Sequence, residues 1–331
     1  MVDYLWPALK AHAVYEHKYL LGTALARPLI AEKVVEVARR VKADAVAHGA
    51  TGKGNDQVRF ELTFAALAPE LQVIAPWRTW NFRGREDLLA FADQHGIPVP
   101  VSKKRPYSSD ENLWHISHEG GILEDLGKPV PEDVYEWTLS PQKASQTPAH
   151  VEIGFEKGTP VSLDGKKISP VGIVTQLNAL GGRHAVGRVD MVENRLVGLK
   201  SRGIYECPAA TILYAAHREL ESLALDRETL HYKDQVGPKL GELIYNGQWF
   251  TPLRESLQTF VEKTQKYVTG RVKLELYKGN ISVLSRQCDK SLYSKDWVTF
   301  EADGFYNQAD ATGFIRLFGL PLKMESLLRR S

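Results

Sequence analysis

The sequence predicts an α/β protein in which a parallel sheet is followed by an α+β region. Three observations predict this fold class: helical and strand patterns alternate before Pro106, a glycine-rich loop follows an early apolar run, and hairpin patterns follow Pro106. Alternating helices and strands are typical of parallel sheets, whose ligands bind at the carboxyl ends of the strands. We therefore expect a ligand site where the glycine-rich loop leaves its strand.

Residues 29–42 (LIAEKVVEVARRVK) predict an amphipathic helix whose apolar face carries Ile30, Val34, Val37 and Val41. The other elements expected before Pro106 are a strand at 43–48, a helix that Asn55 or Asp56 caps and that runs to Phe64, a strand at 71–75, a helix at 84–95 and a strand at 97–101. The loop then opens a helix whose N-terminus favours anions.

The part of the chain after Pro106 has the patterns of hairpins and longer helices. Strands are expected at 150–156, around the turn at Asp164-Gly165, around a turn within 188–200, and around Lys278-Gly279-Asn280 within 272–284; helices are expected at 208–223, 235–246 and 251–266. Residues 129–147, rich in Pro, Ser and Gln, predict a long surface excursion. Together these patterns indicate an α+β second domain.

Composition and charge exclude several classes of protein. The 331 residues suffice for two domains, and the net charge of +2 without a basic stripe argues against a nucleic-acid binder. The apolar run at 209–216 is too short to span a bilayer, and no apolar signal segment follows Met1. Cys207 and Cys288 lie far apart without a CxxC motif, which argues against a disulfide framework or zinc knuckle. We expect a soluble, cytoplasmic protein.

The loop itself reads HGATGKGNDQ at residues 48–57. It is not a Walker A loop, because Ala47 replaces the first glycine and Gly54 replaces the hydroxyl residue that binds magnesium. Lys53 is compatible equally with a phosphate contact and with a solvated side chain. The loop alone therefore does not identify its ligand.

Several stretches resemble one family, the argininosuccinate synthases. They are HGATGKGNDQVRFEL (48–62), YLLGTALARPLIA (19–31), APW (75–77), YSSDENLWHIS (107–117), VGRVDMVENRLVGLKSRGIYE (186–206) and DATGFI (310–315). The resemblance covers nearly the whole chain in order, and several motifs exceed ten residues. Chance or a shared fold explains such a match poorly.

The resemblance implies an adenine nucleotide α-hydrolase-like fold and a carbon–nitrogen ligase of arginine biosynthesis. The family joins citrulline to aspartate through a citrullyl-adenylate, with ATP and its Mg²⁺ as substrate and AMP and pyrophosphate as products. It implies a remainder of the nucleotide-binding domain at 1–104, a synthetase domain at 105–309 and an oligomerisation tail at 310–331. The family forms homotetramers, and neither a nucleic acid nor a membrane is expected as a partner.

The resemblance also implies roles for individual residues, as substrate contacts and without a catalytic acid or base. Gly49 is expected to contact ATP, while Thr51, Asn55 and Asp56 hold aspartate. The citrulline-binding positions are Tyr19, Asn55, Arg59, Ser108, Ser117, Glu193 and Tyr205. A guanidinium fork, a carboxylate and several hydroxyls suit the carboxylate, ammonium and ureido groups of citrulline.

Two departures from the family pattern lead to an alternative function. Ala24 occupies a position where the family has a serine, and no SGGLDTS-type pyrophosphate loop occurs among these residues. We therefore expect that the first strand and the principal triphosphate site are lacking. The alternative is a truncated, non-catalytic descendant that keeps the amino-acid pocket and the assembly surfaces. A third hypothesis is a tRNA-modifying adenylating enzyme. The sequence lacks the basic surface and the zinc-type cysteines that such enzymes often carry.

Other polar residues have simpler interpretations. His115 and His118 (HISH) could suggest a metal, but no third ligand lies nearby in the sequence and packing is favoured, so no metal site is predicted. Asp110 and Glu111, in SSDEN, are interpreted as caps of a turn rather than an acid–base pair.

Overall fold

The computed structural model describes residues 2–82, 84–99, 107–298 and 307–329. The chain divides into two compact units, residues 1–290 and residues 291–331. The predicted domain boundary between residues 104 and 105 lies outside the described residues. All three predicted domain ranges stay predictions.

Between residues 22 and 94 helices alternate with strands, as the sequence predicts for the part before Pro106. The helices of the first unit are α1 (Val2–Ala11), α2 (Gly22–Val41), α3 (Asp56–Leu67), α4 (Arg85–Gln94), α5 (Pro170–Arg183), α6 (Pro208–Ala224), α7 (Arg227–Tyr245) and α8 (Pro252–Thr264). The strands are β1 (Ala45–Ala47), β2 (Gln72–Ile74), β3 (Ser108–Glu111), β4 (Ile116–Glu119), β5 (Ala149–Glu156), β6 (Thr159–Leu163), β7 (Lys166–Lys167), β8 (Arg188–Asn194), β9 (Lys200–Glu206), β10 (Gly270–Tyr277) and β11 (Asn280–Cys288).

Three sheets organise the first unit. β1 and β2 pair in parallel, with Val46 opposite Val73. The sheet β3-β4-β9-β8 and the sheet β11-β10-β5-β6-β7 are antiparallel. The turn at Asp164-Gly165 joins β6 to β7 with both residues at positive φ, so this predicted hairpin is confirmed. A parallel pair followed by antiparallel sheets agrees with the predicted α/β and α+β parts.

The buried face of α2 differs from the predicted one. Ile30, Val37 and Val41 are 42, 45 and 63% exposed, and Val34 alone of the predicted face packs, partly buried, against the core. That core consists of Ala31, Val35 and Ala38 of this helix, together with Val46, Phe64 and Ala68. Both sets have helical spacing, so periodicity alone could not choose between them. The small alanines face α3, which contacts α2 closely. The helix also begins at Gly22 rather than at Leu29, with Pro28 inside it.

The strand predicted at 97–101 is wrong where the structure describes it. Residues 97–99 have no regular structure, and residues 100 and 101 lie outside the described part of the chain. Pro98 lacks the N–H that a ladder hydrogen bond needs, which weakens any pairing here.

The segment at 129–147 is not only a surface excursion. Val134, Thr138 and Ala144 are buried. The reason is the carboxylate of Glu206 on β9, which accepts hydrogen bonds from three successive backbone N–H groups at residues 136–138. The segment is therefore tied to the antiparallel sheet.

The second unit contains the helices α9 (Lys295–Val298), α10 (Asp310–Phe318) and α11 (Leu320–Arg329). In α10 and α11 the large apolar side chains are exposed, for example Leu317 and Phe318 at 76% and Leu322 at 71%. These helices fall within the predicted tail at 310–331, whose last two residues are not described. Among the described residues, no helix combines the length and the apolar character that crossing a membrane requires.

Candidate functional site

A cavity of about 420 Å³ lies at the carboxyl end of β1 and continues to the sheet β3-β4-β9-β8. All ten residues to which the sequence assigns substrate contacts line it: Tyr19, Gly49, Thr51, Asn55, Asp56, Arg59, Ser108, Ser117, Glu193 and Tyr205. They come from five separate segments of the chain. The fold therefore gathers these residues around one cavity, although their individual roles stay predictions.

The glycine-rich loop connects β1 to the N-terminus of α3 and leaves open space beside its backbone. A Cβ atom added at Gly49 or Gly52 would meet nothing within 4 Å. Gln57 fixes the loop from inside, because its Nε2 donates to the carbonyl oxygens of Gly52 (2.7 Å) and Gly54 (3.1 Å). Lys53 is exposed, so its two interpretations stay open. Sequence reasoning missed Gln57, which acts on the loop backbone rather than on a ligand.

Asp56, in the first turn of α3, lies between two arginines. Arg27 Nε is 2.8 Å from its Oδ2, and Arg59 Nη1 is 2.9 Å from its Oδ1. Burial by itself would raise the pKa of Asp56, but the guanidinium groups of Arg59 and Arg27 outweigh burial and lower it. This carboxylate is therefore negatively charged at neutral pH.

Arg27 extends this network to β3 and was missed in the sequence. Its Nη2 lies 2.5 Å from Oδ2 of Asp110, which also accepts from the hydroxyl of Thr23 at 3.2 Å. The predicted role of Asp110 as a turn cap is wrong, because the residue lies in a strand and lines the cavity. Its partners lie more than eighty residues away in the sequence, beyond the reach of a local turn pattern.

The side chain of Arg59 is fixed by α7. Arg59 is 4% exposed, its Nε donates to the carbonyl oxygen of Tyr245 at 2.9 Å, and its Cζ lies 4.9 Å from the centroid of the Tyr245 ring. With Nη1 on Asp56, the guanidinium reaches the cavity already oriented. A preoriented planar fork suits a carboxylate ligand.

Glu193 on β8 has an oxygen without a protein partner. Glu193 is 6% exposed, and no hydrogen-bond partner lies within reach of its buried Oε2 among the residues that the structure describes. Burial raises the pKa of this carboxyl, although Arg59, Arg195 and the Tyr205 hydroxyl counteract burial. A buried acceptor without a donor is costly. The buried Oε2 is therefore available to accept a hydrogen bond from a ligand in the cavity.

Tyr19 reaches the cavity from a strained loop between α1 and α2. His12, Glu16, His17 and Leu21 in this loop all have positive φ values. The hydroxyl of Tyr19 accepts from the backbone N–H of Thr23 at 3.0 Å, and burial raises its pKa to about 12. The loop therefore holds Tyr19 neutral at the start of α2.

The two serines lie on the strands that face this loop. Ser117 on β4 pairs with Tyr205 on β9, and Ser108 on β3 pairs with Glu119. Ala24, the departure from the family pattern, is fully buried and does not line the cavity in the described chain.

The histidines predicted to pack rather than bind metal have protein partners. His115 Nε2 lies 3.0 Å from the hydroxyl oxygen of Thr23, and His118 Nε2 lies 3.0 Å from Oε1 of Glu206. Elsewhere, His12, His217 and Glu221 bring ligand-type atoms within 4.8 Å of one another. The carboxylate of Glu221 is already bonded by Lys233 and Gln265, whose donors satisfy it without a metal ion.

Two family models together match nearly all of the chain. The model described as "Arginosuccinate synthase N-terminal HUP domain" matches residues 1–98, and the model described as "Arginosuccinate synthase C-terminal domain" matches residues 107–325. The predicted fold class, a nucleotide-binding domain followed by a synthetase domain, is thereby confirmed.

Curated relatives are similar over the full length of this chain. The argininosuccinate synthase of Endomicrobium trichonymphae is 56% identical over 100% of this chain and 80% of its own length. That of Carboxydothermus hydrogenoformans is 61% identical over 99% of this chain and 82% of its own length. The chloroplastic argininosuccinate synthase of Arabidopsis thaliana is 56% identical over 99% of this chain and 66% of its own length.

Proposed function

This chain belongs to the argininosuccinate synthase family, and from that premise we propose that the cavity at the end of β1 is where citrulline and aspartate are joined. The protein is a carbon–nitrogen ligase of arginine biosynthesis that uses citrulline, aspartate and ATP. ATP enters as its Mg²⁺ complex, as substrate. The ureido oxygen of citrulline attacks the α-phosphate and expels pyrophosphate, and the aspartate amine then displaces AMP from the citrullyl-adenylate with loss of a proton.

One observation supports the assignment of citrulline to one end of the cavity, namely the unpartnered Oε2 of Glu193. Citrulline brings N–H donors that this oxygen lacks, and its carboxylate suits the guanidinium of Arg59. Tyr19, Ser108, Ser117 and Tyr205 complete this end of the cavity with hydroxyl groups. A ligand with donors at one end and a carboxylate at the other fits this arrangement.

The aspartate end lies at the N-terminus of α3. Asn55 and Asp56 offer an amide and a carboxylate there, Thr51 adds a hydroxyl, and Gly49 leaves backbone space for the nucleotide. The N-terminus of a helix favours anions such as phosphate and carboxylate. The residues contribute by positioning the amine and neutralising charge, which is how such reactions are accelerated without a covalent intermediate on the protein.

Glu193→Gln tests the citrulline end. We expect citrulline to bind about tenfold more weakly in a calorimetric titration, because a hydrogen bond to a charged acceptor is replaced by one to a neutral amide. Glu219→Gln is the matched control, since Glu219 pairs with Arg286 outside the cavity. An unchanged citrulline affinity in Glu193→Gln would remove the residue from the site. Citrulline binding without turnover would favour the non-catalytic alternative.

We also propose a homotetramer in which α10 and α11 cover apolar surface of another copy. The exposed side chains Phe314, Leu317, Phe318 and Leu322 support this, since clusters of large apolar side chains on short helices are typical of contact surfaces. Removing the residues after Gly313 is expected to give smaller and less soluble species in multi-angle light scattering. Lys323→Ala, which removes a charge from α11, serves as the control and should leave the mass unchanged. A compact monomer of the whole chain at micromolar concentration would contradict the proposal.

Two expectations from the sequence stay predictions. One is the lack of an SGGLDTS-type loop. This chain spans about four fifths of the length of its first relatives (80 and 82%), and the remaining fifth of their length has no counterpart among these residues. The other is a cytoplasmic location, for which the relatives differ, the plant one being chloroplastic by name.

A further inference from the structure

We propose that Tyr245, the last residue of α7, is a positioning residue that orients the Asn55 amide and the Arg59 guanidinium toward aspartate and citrulline. The inference rests on the proposed function of the cavity. Tyr245 is 1% exposed, and in the described chain it stands behind the cavity wall rather than in its lining. Sequence reasoning assigned it no role.

Tyr245 fixes the amide of Asn55 together with a backbone group from the opposite side. Asn55 Nδ2 donates to the hydroxyl of Tyr245 at 2.8 Å, and the backbone N–H of Leu196 donates to Asn55 Oδ1 at 2.9 Å. Because an N–H group can meet only the oxygen, the amide nitrogen must face Tyr245. The N–H of Leu196 therefore selects one of the two orientations of this side chain, and the hydroxyl of Tyr245 holds the amide nitrogen in that orientation.

The same residue orients Arg59 through different atoms. Its backbone carbonyl accepts from Arg59 Nε at 2.9 Å, and its ring lies under the guanidinium at 4.9 Å. Neither contact uses the hydroxyl. Removing only the hydroxyl should therefore release Asn55 and leave Arg59 in place.

The ring of Tyr245 is itself immobilised. Tyr15 stacks on it with centroids 3.6 Å apart, and Tyr19 packs edge-on at 6.0 Å. Close approach of the end of α7 to α3 depends on Gly247, which has φ +73°, since a Cβ there would lie 2.7 Å from Cα of Arg59. Burial raises the pKa of Tyr245 above its ordinary value, and Glu193 adds to this effect. The hydroxyl is thus neutral and held in one place.

Tyr245→Phe removes the contact with Asn55 and keeps both contacts with Arg59. With citrulline saturating, we expect aspartate to bind about three- to tenfold more weakly by calorimetry, the effect of one lost hydrogen bond. Citrulline affinity should fall less than aspartate affinity, because the carbonyl and the ring still hold Arg59, although the released Asn55 is also a predicted citrulline contact. Tyr245→Leu, which removes the ring as well, should weaken both ligands.

Tyr214→Phe is the matched control. Tyr214 is a buried tyrosine whose hydroxyl shares its proton between the carbonyl oxygens of Ala8 (3.1 Å) and Ala13 (2.9 Å), away from the cavity. It should lower the melting temperature and leave both ligand affinities unchanged. Equal ligand effects in the two variants would overturn the positioning role, since the loss would then follow from general destabilisation.

A double-mutant cycle completes the test. Tyr245→Phe introduced into Asn55→Ala should weaken aspartate binding no further, because its effect passes through the Asn55 amide. If Asn55→Ala weakens aspartate binding but Tyr245→Phe does not, the positioning role is wrong and the proposed function stands. If Asn55→Ala itself has no effect on aspartate, the proposed role of Asn55 fails, and this inference fails with it.

Discussion

Arg59→Lys is expected to weaken citrulline binding tenfold or more although the positive charge is kept. Arg59 already bonds the carbonyl oxygen of Tyr245 through Nε and Asp56 through Nη1, and it still presents a face to the cavity. A lysine ammonium is a single point charge and cannot reach these partners and a ligand carboxylate together. Loss of charged hydrogen bonds of this kind accounts for a tenfold effect.

The measurement is a calorimetric titration of citrulline at a temperature where circular dichroism shows both proteins folded. Arg218→Lys is the matched control, since both Nη atoms of Arg218 contact Asp234 on the surface. It should bind citrulline like the unsubstituted protein. If Arg59→Lys also does so, the citrulline carboxylate is bound elsewhere.

Glu206→Gln is expected to lower the free energy of unfolding by about 3–5 kcal/mol, the largest stability effect proposed for this chain. The carboxylate is fully buried. It accepts hydrogen bonds from the backbone N–H groups of residues 136–138 and from the Thr138 hydroxyl at 2.6 Å. It also lies 3.0 Å from His118 Nε2. A glutamine amide would turn an N–H group toward donors that need an acceptor. The segment at 136–138 would then lose its tie to β9.

The same residue predicts a pH dependence. Burial by itself would raise the pKa of Glu206, but the hydrogen bonds from His118 and Thr138 outweigh burial and lower it. The stability it provides is therefore fully present above the unfolded-state value near 4.5 and is lost as the pH falls through the folded-state pKa. Denaturant unfolding should be measured at pH 7 and in acid. The free energy of unfolding should fall more between these two conditions in the unsubstituted protein than in Glu206→Gln. Glu228→Gln, at an exposed position, should follow the unsubstituted protein. Parallel curves for Glu206→Gln and the unsubstituted protein would contradict the assignment.

The sequence predicted where helices and strands occur better than it predicted which of their faces are buried. Most of the strands and helices that were predicted fall within a few residues of their expected positions, because capping residues, hairpin turns and periodicity are local signals. The prediction missed α1, α5, β3 and β4, and α7 begins at Arg227 rather than near residue 235. The buried face of α2 could not be chosen locally, since Ile30 and Ala31 begin equally periodic stripes and only α3 decides between them. The strand at 97–101 failed for a related reason, because pairing depends on a neighbour.

The candidate site was predicted through long motifs, and its supporting residues were not. Motifs that resemble a family carry the residues that line the cavity. The partners of those residues come from distant segments: Arg27 meets Asp110 across 83 positions, and Tyr245 meets Asn55 across 190. Contacts of this kind depend on how α2, α3 and α7 pack, which no single stretch of sequence specifies.

The position of Asp56 between two arginines has a consequence for inhibitor chemistry. The protein already supplies an internal counter-anion to Arg27 and Arg59, so a ligand carboxylate that joins Arg59 beside Asp56 binds a cation that is already partly neutralised. The Coulombic gain on binding is therefore smaller than at an arginine without a partner carboxylate. A compound that bridges Arg59 and the unpartnered oxygen of Glu193 gains from both contacts and leaves Asp56 in place, and such bridging geometry is the better starting point for a tight competitive ligand.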